Sequence, residues 1–169
     1  MTNTRDRVRS HVTSNPGVHF NAVGRDLDIA TGQTQYHLRR LIKSDVLRSR
    51  EVRGRMHYFP VGYSETEQAA IALLRRETTR EIVLLLLDGE TDRPAELADS
   101  AGVARSTVEW HLSTLVDHDL AEKVYAGRTV SVRLTEPELL HELLVEIDPS
   151  VPDRLVDRFT RLVDSLLDP

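Results

Sequence analysis

The sequence predicts a mainly α-helical chain with small β-hairpins, an α+β protein built from two copies of one unit and closed by carboxyl-terminal helices. Three observations lead there. Hydrophobic residues make up 40% of the 169 positions but aromatic residues only 5%. Cores of Leu, Val, Ile and Ala suit helical packing better than a sheet sandwich. The chain also repeats itself at an offset of 74 residues. Within each copy, the apolar spacing passes from helical to strand-like at matching places.

The repeat organises everything else. At the 74-residue offset Ala30, His37, Leu38, Leu41 and Asp45 meet Ala104, His111, Leu112, Leu115 and Asp119. These are five identities in the 27 positions of 21–47 against 95–121. Apolar positions fall into register as well: Val23 with Leu97, Ile29 with Val103, Tyr36 with Trp110, Ile42 with Val116, Val46 with Leu120. A slip of one residue then brings Gly54-Arg55 onto Gly127-Arg128.

In the first copy, Val8 and Val12 have the i, i+4 spacing of a helix over Thr4 to Ser14, which Asn15-Pro16-Gly17 breaks. A short helix covers about Phe20 to Leu27, and Asp28-Ile29-Ala30 is a tight turn. A longer helix runs from about Gly32 to Ser44 with Thr34, Leu38 and Leu41 inward. Val46 to Val52 is a strand, Arg53-Gly54-Arg55 a hairpin tip, and Met56 to Phe59 the return strand. The second copy repeats this pattern. Thr78 to Leu87 is a helix ended by Asp88-Gly89, and Pro94 opens the next at a position where proline is tolerated. Ala101-Gly102-Val103 is the turn, and Arg105 to Asp117 is the third helix with Val108, Leu112 and Leu115 inward. Ala121 to Tyr125 and Val130 to Leu134 are strands flanking Ala126-Gly127-Arg128.

Helix, helix, tight turn, helix and a two-stranded ribbon make a winged helix-turn-helix. The run Ser106-Thr-Val-Glu-Trp-His-Leu-Ser-Thr-Leu-Val-Asp-His-Asp-Leu resembles the recognition-helix signature of ArsR- and MarR-like regulators, and Gln33-Thr-Gln-Tyr-His-Leu-Arg-Arg-Leu-Ile-Lys-Ser-Asp-Val-Leu carries the same pattern. The resemblance covers about 21–60 and 95–134, and archaeal regulators with paired winged helices are similar in size and layout. It implies a tandem winged-helix transcriptional regulator that binds double-stranded DNA. Those families usually have Gly in the loop before the wing. Here Asp45 and Asp119 occupy that region, and Asp adopts a left-handed backbone less readily.

Between the copies, Ser64-Glu65-Thr66-Glu67 has the spacing of a capping box and opens a helix through Leu74. Whether it continues into the helix from Thr78 is left open. Glu136-Pro137-Glu138 starts another helix to about Ile147, Asp148-Pro149 breaks it, and a last helix runs from about Pro152 to Leu167. Its stripe of Leu155, Phe159, Leu162, Val163 and Leu166 either makes a homodimer or packs on its own chain. The expected organisation is a basic first winged-helix domain over 1–62, the main DNA reader, and a connecting helix over 63–76. A second winged-helix domain covers 77–135, and carboxyl-terminal helices over 136–169 serve dimerisation or packing.

Charge divides the copies. Residues 1–62 carry eleven basic and five acidic residues, net +6, whereas 63–169 carry eleven and twenty-two, net −11. The basic part can meet a polyanion that the acidic part would repel. Only Lys43 and Lys123 are lysine, and Arg for Lys with abundant Asp fits a GC-rich or salt-loving host. In a helix-turn-helix the third helix enters the major groove. With Thr34, Leu38 and Leu41 inward, Gln33, Gln35, Tyr36, Arg39, Arg40 and Lys43 are outward. Gln can pair bidentately with adenine and Arg with guanine. The wing adds Arg48, Arg50, Arg53 and Arg55. From Arg39 to Arg55 there are seven basic and two acidic residues, net +5. From Arg105 to Arg128 there are three and four, net −1. Arg105, Ser106, Thr107, Trp110 and Arg128, beside the outward Glu109 and Ser113, therefore form at most a weaker second reader, or a scaffold for dimerisation or a ligand. Trp110 either stacks on a base or packs against the wing or a neighbouring residue.

No catalytic motif appears: there is no phosphate-binding Gly-rich loop and no His-Glu-x-x-His. The chain has no cysteine, which excludes disulfides and thiolate metal sites. Its seven histidines lack ligand spacing. His37 and His111 belong to the helix signature, as packing and hydrogen-bonding residues. No enzyme activity, cofactor or metal is expected. No apolar run approaches a membrane span, and no apolar segment follows Met1-Thr-Asn-Thr-Arg-Asp as in a signal peptide, so a cytoplasmic, nucleoid-associated protein is expected. Two other readings stay open: a tandem winged-helix scaffold of chromosome or transcription machinery, and a nucleoid protein coating DNA.

Overall fold

The computed structural model describes residues 3–89 and 91–151. They divide between Arg75 and Arg76 into two units. Each unit runs helix, helix, helix, hairpin, helix.

In the first unit α1 spans Thr4–Ser14, and the Asn3 side chain caps it by accepting from the Asp6 N–H at 2.9 Å. Asn15 and Pro16 end it, and Gly17 turns the chain at φ +78. A two-residue strand that was not expected, β1 (Val18–His19), follows. Next come α2 (Phe20–Leu27) and α3 (Thr31–Lys43). They are separated by Asp28 in the left-handed region, with the Ile29 N–H returning to the Gly24 carbonyl at 3.0 Å. The wing is β2 (Leu47–Val52) and β3 (Arg55–Pro60), and β3 lies between β1 and β2 in an antiparallel three-stranded sheet. Val8, Val12, Val23, Leu38, Leu41 and Leu47 form the centre of the core.

The helix α4 (Glu65–Leu74) has both bonds of a capping box between Ser64 and Glu67. It packs on β2 within the first unit. Ile71 lies so close to Gly17 that a Cβ there would stand 2.6 Å from Ile71 Cγ2, and the Arg75 guanidinium donates twice to the Pro16 carbonyl, at 2.7 and 2.9 Å. The continuity left open by the sequence is resolved as a break. The next helix, α5, starts at Glu77, and Arg76 before it has extended backbone.

The second unit contains α5 (Glu77–Asp88), α6 (Pro94–Ala101), α7 (Arg105–Asp117), β4 (Ala121–Ala126), β5 (Thr129–Leu134) and α8 (Pro137–Ile147). Every element of 20–60 recurs at an offset of 74: α2 onto α6, α3 onto α7, β2 onto β4 and β3 onto β5, end for end. The helix α4 falls close to α8 at the same offset, so the two helices expected there are a fourth element of the repeat, an equivalence that the sequence did not reveal. The last expected helix, from Pro152 to Leu167, lies outside the described residues.

Two loop expectations change. Asp45 and Asp119 both take the left-handed conformation, at φ 57 and 58. Each sits where glycine usually closes a helix. The Val46 N–H reaches the Leu41 carbonyl at 3.0 Å and the Asp45 N–H that of Ile42, and Leu120 and Asp119 do the same toward Leu115 and Val116. The aspartates therefore keep the loop geometry. The second change is in the wings. The hairpins keep the 74-residue register, without the one-residue slip suggested by Gly54-Arg55 and Gly127-Arg128. Val52 pairs with Arg55, and Ala126 with Thr129. Both tips are thus two-residue turns. In the first, Arg53 and Gly54 both have positive φ, as a type I′ turn requires. In the second, only Gly127 does, matching the glycine position of a type II′ turn. The glycine has moved within the turn, and the strands have not.

Candidate nucleic-acid interface

The inner face of α3 is fixed by Thr34, Leu38 and Leu41, all buried, with the Thr34 hydroxyl donating to the Ala30 carbonyl at 3.1 Å. A helix held by that stripe must turn its other face outward. Gln33, Gln35, Tyr36, Arg39, Arg40 and Lys43 are all exposed. The Arg40 guanidinium lies over the Tyr36 ring at 5.9 Å, which holds a 53% exposed aromatic side chain against the helix surface.

The wing continues this face. Arg53 and Arg55 are exposed at and beside the turn, and Arg50 is half-buried opposite His57. Arg48 is drawn to Asp45 at 2.9 Å, so part of its charge is already answered. Among the described residues no carboxylate lies within ion-pairing distance of Arg39, Lys43 or Arg55. Between α3 and the wing is an open cleft of about 400 Å³, bordered by Gln35, Arg39, Ser49, Met56 and Tyr58. Burial raises the Tyr58 phenol pKa, and the Arg39 charge opposes that shift. Near the wing tip, Arg55 and His19 border a second notch. His19 caps α2 by accepting from the Ala22 N–H at 3.4 Å. Burial, then Arg55 and Arg25, lower its pKa. Sequence reading missed His19, because His is outside the usual capping set.

In the second unit the same positions are chemically different. Read through the matched elements, Arg39, Arg40, Lys43, Arg50, Arg53 and Arg55 become Ser113, Thr114, Asp117, Val124, Gly127 and Thr129. The exposed cation at the second tip, Arg128, corresponds to Gly54 and not to Arg55. Of the other expected second-reader residues, Arg105 and Ser106 are exposed and Thr107 is half-buried. Glu109 lies between Lys123 at 3.0 Å and Arg105 at 4.0 Å.

Trp110 is 42% exposed, with the Arg76 guanidinium over its ring at 5.3 Å and His111 edge-on at 4.8 Å. His111 is buried and shares a 2.9 Å hydrogen bond between its Nδ1 and the Thr79 hydroxyl. Burial, then Arg76, lower its pKa. The large exposed apolar residues of this wing are Val124 and Tyr125. Among the described residues there is no group of three or more His, Asp or Glu placed to hold a metal, and no helix long and apolar enough to cross a membrane.

Residues 2–71 match a family model described as an N-terminal HTH domain, and residues 76–123 match the bacterial regulatory protein, arsR family. The chain thus carries two helix-turn-helix domains in tandem, the second of the arsR type. It is 23% identical over 139 residues to an uncharacterized HTH-type transcriptional regulator of Methanocaldococcus jannaschii. That match covers 80% of this chain and 34% of the relative, so the chain spans about a third of its length. Among solved structures it is similar to a transcriptional regulator, Tm0710, of Thermotoga maritima, with TM-score 0.40 and 18% identity over 61% of this chain and 82% of that one. It is also similar to ScpB of Mycobacterium tuberculosis, with TM-score 0.32 and 14% identity over 82% and 93% of the two chains.

Proposed function

We propose that this tandem helix-turn-helix chain is a transcriptional regulator that binds double-stranded DNA sequence-specifically and acts by binding rather than catalysis. In this reading α3 enters the major groove and the first wing lies on the phosphate backbone or in the minor groove. The observation that carries it is the union of base-reading side chains on the exposed face of α3 with the basic stretch Arg39 to Arg55, net +5, most of whose cations are exposed. Phosphate contacts from such cations supply affinity, and contacts from Gln33, Gln35 and Arg39 to base edges supply sequence discrimination. Exposed Gln and Arg along α3 favour base reading over coating of DNA. The first unit is the principal reader, because the seven cations from Arg39 to Arg55 have no basic counterpart at the matched positions of the second.

Two finer elements belong to this reading. The protein works as a homodimer on paired half-sites, joined through its carboxyl-terminal residues, whose apolar stripe supports that assignment. It resides on the nucleoid in the cytoplasm. Sedimentation with and without residues 152–169 tests the first, and a monomer in both forms refutes it.

Selection from a random duplex pool tests the main reading. The wild-type chain is expected to enrich a motif that the Arg39→Ala, Arg40→Ala variant fails to enrich. Recovery of unenriched sequence by both refutes base reading.

A further inference from the structure

One matched pair of positions links the recognition helix to the wing differently in the two units. In the first unit Gln35 on α3 and Ser49 on β2 both border the open cleft, beside Arg39, and neither carries a charge. At the same places the second unit has Glu109 on α7 and Lys123 on β4, and they meet at 3.0 Å. Thr31, which opens α3, is replaced by Arg105, which opens α7, and its guanidinium approaches Glu109 at 4.0 Å. The second unit thus has two cations, at the start of its recognition helix and on its wing, that the first lacks at the same places, and one carboxylate pairs with both. The third cation of this stretch, Arg128, stands at the wing tip.

We propose that Glu109 is a specificity-determining residue that keeps the second helix-turn-helix off DNA. It does so in two ways. It occupies Arg105 and Lys123, so that phosphate contact by either requires breaking an existing ion pair. It also places a carboxylate on the face that would meet phosphate oxygens, where like charge is repelled. Specificity is a difference of affinities, and a repulsive group on the second helix confines reading to the first. The inference rests on the proposed reading that the first unit binds DNA. It adds that the second is silenced by a single side chain, and not merely weak through lack of charge.

Glu109→Gln tests this, because the amide is isosteric, neutral and a member of the adenine-reading set. The full chain is titrated by fluorescence anisotropy onto a labelled mixed-sequence duplex of about 30 base pairs, between about 50 and 300 mM KCl, a range wide enough to resolve the salt slope. Releasing Arg105 and Lys123 onto phosphates should steepen the slope of log K against log salt by about 1.8, at about 0.9 per contact. Relative to the high-salt end, binding at the low-salt end should tighten by about 25-fold more than in the wild type. The same gain is expected in the Arg39→Ala, Arg40→Ala background, where the contribution of the first unit is reduced. Glu122→Gln removes an equal charge from the adjoining wing of the same unit, freeing Arg133, and should leave the slope near the wild-type value.

An unchanged slope in Glu109→Gln, or an equal change in Glu122→Gln, overturns the proposal. The Arg105→Ala, Lys123→Ala variant leaves Glu109 in place and gives a check that does not depend on Glu109→Gln folding. It should bind as the wild type does, and a shallower slope there overturns the proposal as well. If instead the wild type and the Arg39→Ala, Arg40→Ala variant bind alike, the reading of the first unit fails, and the Glu109 comparison stands or falls on its own slopes.

Discussion

Replacing Arg39 by alanine should weaken binding to the selected site by about 1–3 kcal/mol, a loss of about 5- to 150-fold, the range for one bidentate base contact. The structure gives the reasons. Arg39 is exposed on the outward face of α3, one turn beyond Tyr36, and no carboxylate is near enough to hold it. Its guanidinium therefore reaches DNA without first breaking an ion pair. Arg48 differs, because Asp45 already engages it at 2.9 Å. Arg105 differs too, with Glu109 at 4.0 Å. Both arginines are expected to lose less than about 1 kcal/mol, the usual scale of an exposed pair. Anisotropy titrations on the selected duplex and on a shuffled one separate the two kinds of contact. Arg39→Ala should narrow the gap between the two duplexes, while a phosphate contact such as Arg55 should weaken both equally and reduce the salt slope by about 1. Equal losses from Arg39→Ala and Arg105→Ala, or a larger loss from Arg48→Ala, would refute the reasoning.

Three further outcomes follow from the fold. Gly17→Ala places a methyl 2.6 Å from Ile71 Cγ2 at φ +78, and should cost about 2–4 kcal/mol in urea denaturation, combining overpacking with left-handed strain; a loss below about 0.5 kcal/mol contradicts the close approach of α4. At Asp119, with φ 58, valine should cost about 1–2 kcal/mol while glycine is close to neutral, again by urea denaturation, and equal effects would deny the left-handed loop. Folding holds the His19 and His111 imidazoles below their ordinary value of 6.5. The unfolded chain then takes up more protons than the folded one as pH falls below 6.5. This contribution is complete above that pH and is lost progressively toward the lower folded values, so denaturation midpoints should drop from pH 7.5 to pH 5.5. The drop should shrink in His111→Gln; an unchanged pH profile in that variant removes His111 from the account.

Much of the fold could be read in the sequence because the repeat and the apolar period act on different scales. Thr34, Leu38 and Leu41 determine one face of α3, and that alone places Gln33, Gln35, Tyr36, Arg39, Arg40 and Lys43 outside. Other features were not legible. The strand β1 is two residues long, too short for alternation to register. The glycines at the wing tips suggested a slipped register, because identity between glycines outweighs the strands when one turn needs Gly second and the other Gly first. Equivalence of α4 and α8 was hidden because Ser64 caps one helix while Pro137 opens the other. Net charge distinguished the two recognition helices but did not show that one carboxylate, Glu109, holds two of the three cations. The charge count assigned Arg48 and Arg50 to the same surface as Arg55, whereas Asp45 holds the first and the sheet half-buries the second.

The central claim is that the first helix-turn-helix unit reads DNA sequence. Its most direct test is a genome-wide pull-down of DNA fragments by the purified full chain at the host's working salt, beside the Arg39→Ala, Arg40→Ala variant. A few sharp peaks sharing one motif, absent with the variant, are the expected result. Broad coverage without a motif, or no enrichment by either protein, would contradict it.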